Sequence, residues 1–181
     1  MAVEPYDRSV WFVENLPVVI LVVALILTYK KFTFSNTAYF LMWIYFCFHT
    51  VGGHYTFELV PFDLGNKILL AFESDFLFVE DRNNFDRLGH FLVGLFAYPI
   101  VELLVKKEFV KNSFVAFLMA VFAIGFWAAL YEIMEMYYAI IDGGSSGAAF
   151  LGSQGDIWDA QKDMLLNILG AIVFASFYNF K

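Results

Sequence analysis

Charged residues are scarce in this sequence. Only 16% of its 181 residues are Asp, Glu, Lys or Arg, whereas 61% are hydrophobic and the mean hydropathy is +0.68. Soluble globular domains usually carry a charge on about a quarter of their residues. The shortage of charge therefore excludes a water-soluble domain and predicts a membrane protein.

Cysteine and the common enzyme motifs are also scarce. Cys47 is the only cysteine, so the chain cannot form an intramolecular disulfide. The sequence has no Walker loop, dinucleotide-binding fingerprint, Gly-x-Ser-x-Gly elbow or His-Glu-x-x-His motif. Its net charge of −7 argues against nucleic acid as a partner. These absences exclude several large classes of enzyme and all nucleic-acid readers.

Long apolar windows dominate the sequence instead. At 1.5 Å per residue, a helix of about 20 residues crosses a hydrocarbon core of about 30 Å. Five windows suit such helices, near residues 12–29, 36–58, 85–105, 113–141 and 163–180. No repeat or linker divides them, so we expect one all-α domain over residues 1–181, a polytopic membrane helical bundle of about five transmembrane helices.

The lysines predict the orientation of this bundle. They follow the first predicted span, separate the third from the fourth and end the chain, at Lys30, Lys31, Lys106, Lys107, Lys111 and Lys181. The positive-inside rule assigns such segments to the cytoplasm. We therefore expect the N-terminus outside and the C-terminus inside.

Histidines and carboxylates gather at the predicted outer ends of four spans. Two pairs each share a helical face, because their members are four residues apart. These pairs are His54 with Glu58 and Asp86 with His90. The last two spans add the acids Glu132, Glu135, Asp156, Asp159 and Asp163. Helices that alternate in direction bring these ends to one membrane face, so we expect a single polar cluster.

Acids in the apolar zone need a counter-charge, because each costs roughly 2.5 to 3.5 kcal/mol there when it is charged and alone. Arg87 pairing with Glu132 or Asp159 would explain part of the cluster, but the nearby cations are fewer than the acids. Imidazole and carboxylate together suit Zn²⁺, Mn²⁺ or Fe²⁺. We therefore predict one or two divalent transition-metal ions, with the ligands His54, Glu58, Asp86, His90, Glu132 and Asp159.

Other polar residues are expected to assist or to stand apart. Glu135 or Asp163 would act as general base. The residues predicted to orient ligands are Tyr55, Asp156, Gln161 and Asn167. Asp86 and Asp156 have a simpler alternative as helix N-caps. Structural roles suit two other side chains better, an interhelical hydrogen bond for His49 and an ion pair with Lys106 for Glu102.

Four motifs occur in order along the chain, at residues 52–56 (GGHYT), 84–91 (NFDRLGHF), 131–135 (YEIME) and 152–164 (GSQGDIWDAQKDM). Through them the chain resembles the YjdF-like family of uncharacterised bacterial inner-membrane proteins. The resemblance extends from the second to the fifth predicted span. It implies a multi-pass protein of the bacterial inner membrane and implies no activity, because none is established for the family.

Three kinds of function suit a metal site at the outer face. The first is a metal-dependent hydrolase of a lipid or envelope substrate. The second is a two-metal membrane oxidoreductase that acts on a lipid-soluble molecule. The third is non-enzymatic, either metal or proton handling or an accessory membrane subunit. Transport ranks lower, because the inner half of the bundle has few polar residues to line a path. The lipid bilayer and a hydrophobic substrate are the expected partners.

Overall fold

A computed structural model describes residues 2–72 and 76–178. This part of the chain is helical and contains no β-strand. Its α-helices are α1 (Arg8–Thr28), α2 (Asn36–His54), α3 (Asp63–Phe72), α4 (Phe85–Val93), α5 (Ala97–Lys106), α6 (Ser113–Asp142), α7 (Ser145–Leu151) and α8 (Asp159–Ser176). Residues 179–180 of the last predicted span and Lys181 lie outside the described residues.

Three helical segments are long and apolar enough to cross a membrane. They are α1, the continuous segment Phe85–Lys106 and α6. The second of these joins α4 to α5 through the 3₁₀ turn Gly94–Phe96. The fold is therefore the all-helical membrane bundle that the hydropathy predicts, and α2 and α8, with 19 and 18 residues, pack within the same bundle.

Helix α1 begins one turn earlier than the predicted span. The carboxylate of Asp7 accepts hydrogen bonds from the backbone N–H groups of Ser9 and Val10, at 2.7 and 3.0 Å, and so caps the helix at Arg8. The additional turn places Glu14 well inside the helix, where it is 3% exposed.

Helix α2 ends at His54, four residues before the end of the predicted span. The backbone of Thr56 and Phe57 is left-handed, with φ of 56° and 57°, so the chain leaves the helix axis there. Glu58 follows this turn. The prediction that His54 and Glu58 share a helical face is therefore wrong.

Helix α8 packs against α4, α5 and α6 and crosses α4 at a contact between two glycines. A Cβ atom on Gly94 would lie 2.1 Å from the carbonyl carbon of Gly170, and one on Gly170 would lie 2.0 Å from the carbonyl oxygen of Phe91. Glycine lets membrane helices approach this closely. The contact brings His90, one turn before Gly94, beside the first two turns of α8.

Two predicted structural roles are confirmed. His49 on α2 bonds through Nε2 to the backbone carbonyl of Glu14 on α1, at 2.9 Å. Glu102 is 1% exposed and accepts a hydrogen bond from Lys106 at 2.6 Å. Glu102 also accepts from the backbone and the hydroxyl of Ser35, at 2.7 and 2.6 Å, which fixes the start of α2 to α5.

Candidate metal centre

Two buried arginines lie at the start of α4 and hold the first turn of α8. Arg87 is fully buried and donates to the carboxylates of Asp156 and Asp159, at 2.8 Å each. Arg82, which is 5% exposed, donates to the same oxygen of Asp159. The predicted pairing of Arg87 with Asp159 is therefore confirmed. One oxygen of Asp159 is thus engaged by two guanidinium groups.

Asp156 precedes α8 and is held by cations rather than acting only as a helix cap. Lys162 donates to its carboxylate at 2.6 Å, beside the bond from Arg87. Burial alone would raise the pKa of Asp156, but the hydrogen bonds from Lys162, from the backbone of Trp158 and from Arg87 hold this pKa below its usual range. The charged carboxylate of Asp156 therefore links the start of α8 to Arg87 on α4.

Three other residues come together one turn deeper. Asp86 and His90 on α4 and Asp163 on α8 each offer a ligand atom, and these atoms all lie within 4.8 Å of one another. His90 Nε2 is 3.6 Å from Asp86 Oδ1. Ligands that share one metal ion at about 2 Å lie at most about twice that distance apart, so small side-chain adjustments would bring these atoms into one coordination shell. The i, i+4 pairing of Asp86 and His90 on one face is as the spacing predicts.

Two carboxylate oxygens in this region lack a hydrogen-bond donor among the described residues. Asp163 Oδ1 and Glu132 Oε1 are both buried and accept no hydrogen bond. Asp163 as a whole is 2% exposed, and Arg87 Nε lies 3.4 Å from its Oδ1 without forming a hydrogen bond. A buried carboxylate oxygen without a donor is costly. This cost disappears when a cation or an ordered water lies against the oxygen.

Asn167 connects His90 to the backbone of α8. Its amide nitrogen is 2.8 Å from His90 Nδ1 and also donates to the carbonyl of Asp163, at 2.8 Å. With the amide in this orientation, Nδ1 accepts and the proton of a neutral imidazole is on Nε2, which faces Asp86. Asn167 therefore orients the imidazole of His90.

The remaining predicted residues lie outside this group. Glu132 is half-buried on α6, one turn from Glu135, which is 8% exposed, and the two carboxyl groups are adjacent. His54 and Tyr55 pack edge to face at the end of α2, with 4.6 Å between ring centroids. The others are Glu58, half-buried after the turn, and Gln161, exposed on the first turn of α8.

Glu14 is the residue that sequence reasoning missed. Its carboxylate accepts a hydrogen bond from the Tyr131 hydroxyl at 2.8 Å and lies 3.5 Å from His49 Nε2. It lies within the first predicted span, residues 12–29, but was not assigned to the polar cluster. An acid inside an apolar helix is the signal that identifies it.

A small cavity of about 30 Å³, lined by both ionisable and apolar side chains, lies inside the bundle at this level. Its polar lining comes from five helices and includes Glu14, His49, Asp86, His90, Glu135 and Asn167. A single water needs at least about 10 to 15 Å³ of such space. The cavity therefore accommodates one or two waters, or one ion with a water, next to the group formed by Asp86, His90 and Asp163.

Comparison with known proteins also identifies the chain as a membrane protein. The chain matches the family described as "Predicted membrane protein (DUF2238)" over residues 1–181. It is 33% identical over 177 residues to "Inner membrane protein YjdF" of Escherichia coli (strain K12), covering 97% of this chain and 80% of that protein. No solved structure matches the chain. This chain is therefore a multi-pass inner-membrane protein and belongs to the DUF2238 family of predicted membrane proteins.

Proposed function

We propose that this protein binds a divalent transition-metal ion through Asp86, His90 and Asp163 and hydrolyses an ester or phosphoester of a membrane lipid. One observation carries the proposal: three ligand-type side chains converge within 4.8 Å, where the buried oxygens Asp163 Oδ1 and Glu132 Oε1 accept no hydrogen bond from the described residues. Zn²⁺, Mn²⁺ and Fe²⁺ suit this mixture of nitrogen and oxygen donors.

The balance of charge supports a bound cation. Three cationic side chains face six carboxyl groups around the start of α8. The cations are Arg82, Arg87 and Lys162, and the acids are Asp86, Glu132, Glu135, Asp156, Asp159 and Asp163. The arginines and the lysine engage Asp156 and Asp159 most closely, at hydrogen-bond distance, and the arginines reach Asp86 and Asp163 only at 4.0 and 3.4 Å. A divalent ion would stabilise the acids that lie deeper.

The proposed ligand set changes the roles predicted from spacing. Asp163 becomes a ligand, so Glu135 is the remaining candidate for the general base. Asp159 positions Arg82 and Arg87 and does not serve as a primary ligand.

Binding of the ion by His90 requires one local rearrangement. Nε2 can bind a metal only when its proton has moved to Nδ1, and Nδ1–H then needs an acceptor. Rotation of the Asn167 amide would supply its oxygen for this hydrogen bond. A bound metal would activate a water molecule against the substrate's ester or phosphoester bond.

The first experiment measures metal content. The native chain and the variants His90→Ala and Asp163→Asn are purified in detergent without added metal. Their metal content is measured by inductively coupled plasma mass spectrometry. His54→Ala and Asp63→Asn are matched controls, since His54 lies outside the group and Asp63 is exposed on α3. We expect one metal ion in the native chain and both controls, and its loss in the two site variants. Absence of a transition metal from the native chain refutes the proposal.

The second experiment measures hydrolysis. Native protein and the Glu135→Gln variant are placed in vesicles of phosphatidylethanolamine and phosphatidylglycerol, and the lipid products are identified by mass spectrometry. We expect the native chain to release either the lipid head group or a fatty acid. The variant should retain the metal and release neither product. A metal-loaded native protein that leaves both lipids intact refutes hydrolysis of these phospholipids.

A two-metal oxidoreductase is the second candidate function, and Glu132 favours it. Its buried Oε1 is unpartnered among the described residues, and Glu135 is adjacent. Bridging carboxylates of this kind hold two ions in helical bundles. Two bound iron or manganese ions per chain in the elemental analysis would favour this function over hydrolysis.

The arrangement in the membrane belongs to the same proposal. We take α1, α2, Phe85–Lys106, α6 and α8 as five spans, with the N-terminus outside and the C-terminus inside. The hydropathy of α1, Phe85–Lys106 and α6 supports three of them directly. The shared packing of α2 and α8 with these helices supports the other two. The candidate metal centre then lies near the outer face.

A further inference from the structure

A second, larger cavity adjoins the cavity of about 30 Å³ and is almost entirely apolar. Its volume is about 360 Å³, within the range of about 300 to 1,000 Å³ that is usual for small-molecule sites. Its walls are one face each of α1, α2, α5 and α6. The face of α1 is a continuous helical stripe, formed by Pro17, Val18, Leu21, Ala24, Leu25 and Thr28.

We infer that this apolar cavity binds one fatty acyl chain of a membrane phospholipid and presents the head group of that lipid to the candidate metal centre. The inference rests on the proposed function for the role of the head group. It adds the class of substrate and the place where its chain lies.

The two cavities adjoin each other. Five residues line both of them: Tyr45, His49, Val93, Trp127 and Tyr131. The hydroxyl of Tyr131 and the imidazole of His49 contact Glu14 at this boundary. A molecule that spans the boundary would therefore have a polar end in one cavity and an apolar end in the other, which is the chemistry of a lipid.

The dimensions of the apolar cavity suit a single hydrocarbon chain. The stripe on α1 from Pro17 to Thr28 is about 17 Å long, close to half of a hydrocarbon core of about 30 Å. The cavity, of about 360 Å³, runs along this stripe, so an extended hydrocarbon chain can lie in it.

The position of α1 allows a lipid to enter from the bilayer. This helix packs mainly on α2. Near its N-terminal end it also contacts α6 through the hydrogen bond from Tyr131 to Glu14. Below that bond, the apolar cavity separates α1 from α5 and α6. A chain can slide in sideways between these helices without leaving the apolar zone.

The test uses a phosphatidylglycerol that carries a photoactivatable diazirine on its acyl chain. The full-length protein is reconstituted with this lipid and irradiated, and the labelled peptides are mapped by mass spectrometry. We expect labels on the cavity-lining positions of α1, α5 and α6. Labels confined to the outer surface of the bundle overturn the inference.

A matched pair of variants on α1 tests whether filling the apolar cavity prevents labelling. Leu25 lines the cavity, whereas Leu27, two residues away on α1, is 74% exposed and does not. Leu25→Trp should lower labelling of the cavity positions several-fold, and Leu27→Trp should not. Ala123→Phe fills the cavity from α6 and should act as Leu25→Trp does, with elution as a single folded species confirming that each variant is intact. Equal labelling in all four proteins overturns the inference, as does crosslinking mainly to a second copy of the chain.

The same labelling separates this inference from the proposed function. Asp163→Asn should lose the metal and keep the acyl label, because Asp163 does not line the apolar cavity. If the native protein binds no metal but shows specific acyl labelling, the proposed hydrolysis fails and the proposed acyl-binding cavity stands. If it binds metal but the cavity takes no label, the metal centre stands and the acyl site fails.

Discussion

The guanidinium group of Arg87 lies 2.8 Å from the carboxylate of Asp159, and 72 residues of sequence separate the two. Both side chains are buried, and the same nitrogen also reaches Asp156. This bond joins the start of α4 to the start of α8. It holds together the two helices that supply the proposed metal ligands.

Removal of Arg87 should strongly destabilise the protein. Arg87→Met removes one of the counter-charges of Asp156, Asp159 and Asp163, and breaking a buried ion pair costs about 3 to 5 kcal/mol. Arg87→Lys should be intermediate, because an ammonium group cannot reach both the carboxylates and the backbone carbonyl of Leu77, as the separate nitrogens of the guanidinium group do. Thermal unfolding in detergent, followed by size-exclusion chromatography, measures the order of stability.

Arg8→Met is the control for Arg87→Met, because Arg8 is exposed, and it should change stability little. Asp159→Asn introduced together with Arg87→Met should cost less than the sum of the two single changes, because the two side chains share an ion pair. If the double variant is as unstable as the sum of the single ones, the proposed coupling of Arg87 to Asp159 is wrong.

The glycine contact between α4 and α8 should tolerate no side chain. Gly170→Ala places a methyl group 2.0 Å from the backbone oxygen of Phe91, so the helices must separate, and overpacking of this kind costs typically about 1 to 3 kcal/mol. We expect a lower unfolding temperature and weaker metal binding, because the separation also moves His90 away from Asp163.

Gly125→Ala supplies the comparison for Gly170→Ala. Its added methyl group would meet only the side chain of Ile168, at 3.4 Å, so stability should be close to that of the native chain. Similar behaviour of the two alanine variants would show that α4 and α8 do not depend on this close approach.

Asn167 should set the affinity of the metal centre. Asn167→Asp offers a carboxylate that accepts the Nδ1 proton of His90 and should tighten metal binding, whereas Asn167→Leu should weaken it. Loss of such a hydrogen-bond partner typically costs about 10- to 100-fold in metal affinity. Competition with a chromophoric chelator measures the dissociation constants. Weaker binding in Asn167→Asp than in Asn167→Leu would contradict the proposed role of His90 as a ligand.

The proposed orientation can be tested with single cysteines. In a Cys47→Ser background, Ile157→Cys should react with a membrane-impermeant maleimide in intact spheroplasts, because residue 157 is 84% exposed at the outer end of α8. Thr33→Cys, in the exposed segment after α1, should react only after the membrane is permeabilised. The opposite pattern would place the candidate metal centre at the cytoplasmic face.

Helical periodicity predicts some parts of the site and local backbone geometry decides others. The spacing of Asp86 and His90 places them on one face because α4 is helical throughout that stretch. The same spacing fails for His54 and Glu58, because two left-handed residues intervene, and neither Thr56 nor Phe57 is a residue type that signals such a turn.

Tertiary contacts explain the remaining differences. Asp159 and Asp163 are both acids of the first turns of α8, and sequence alone cannot rank them as ligands. The arginines decide between them, because Arg82 and Arg87 both reach Asp159 while Asp163 Oδ1 lies one turn deeper without a hydrogen bond. Glu14 was missed since its partners, Tyr131 and His49, are distant in sequence.

The crossing of Gly94 and Gly170 also bears on how the protein is inserted during synthesis. Asp86 and His90 enter the membrane with α4, but Asp163 and the acids that bind Arg87 arrive only with α8. Until then, Arg82 and Arg87 lack the carboxylates that stabilise them in the bundle, and charged side chains of this kind favour the membrane surface. Docking of α8 along the glycine contact would draw the start of α4 inward. Assembly of the candidate metal centre would then be a late step of biogenesis.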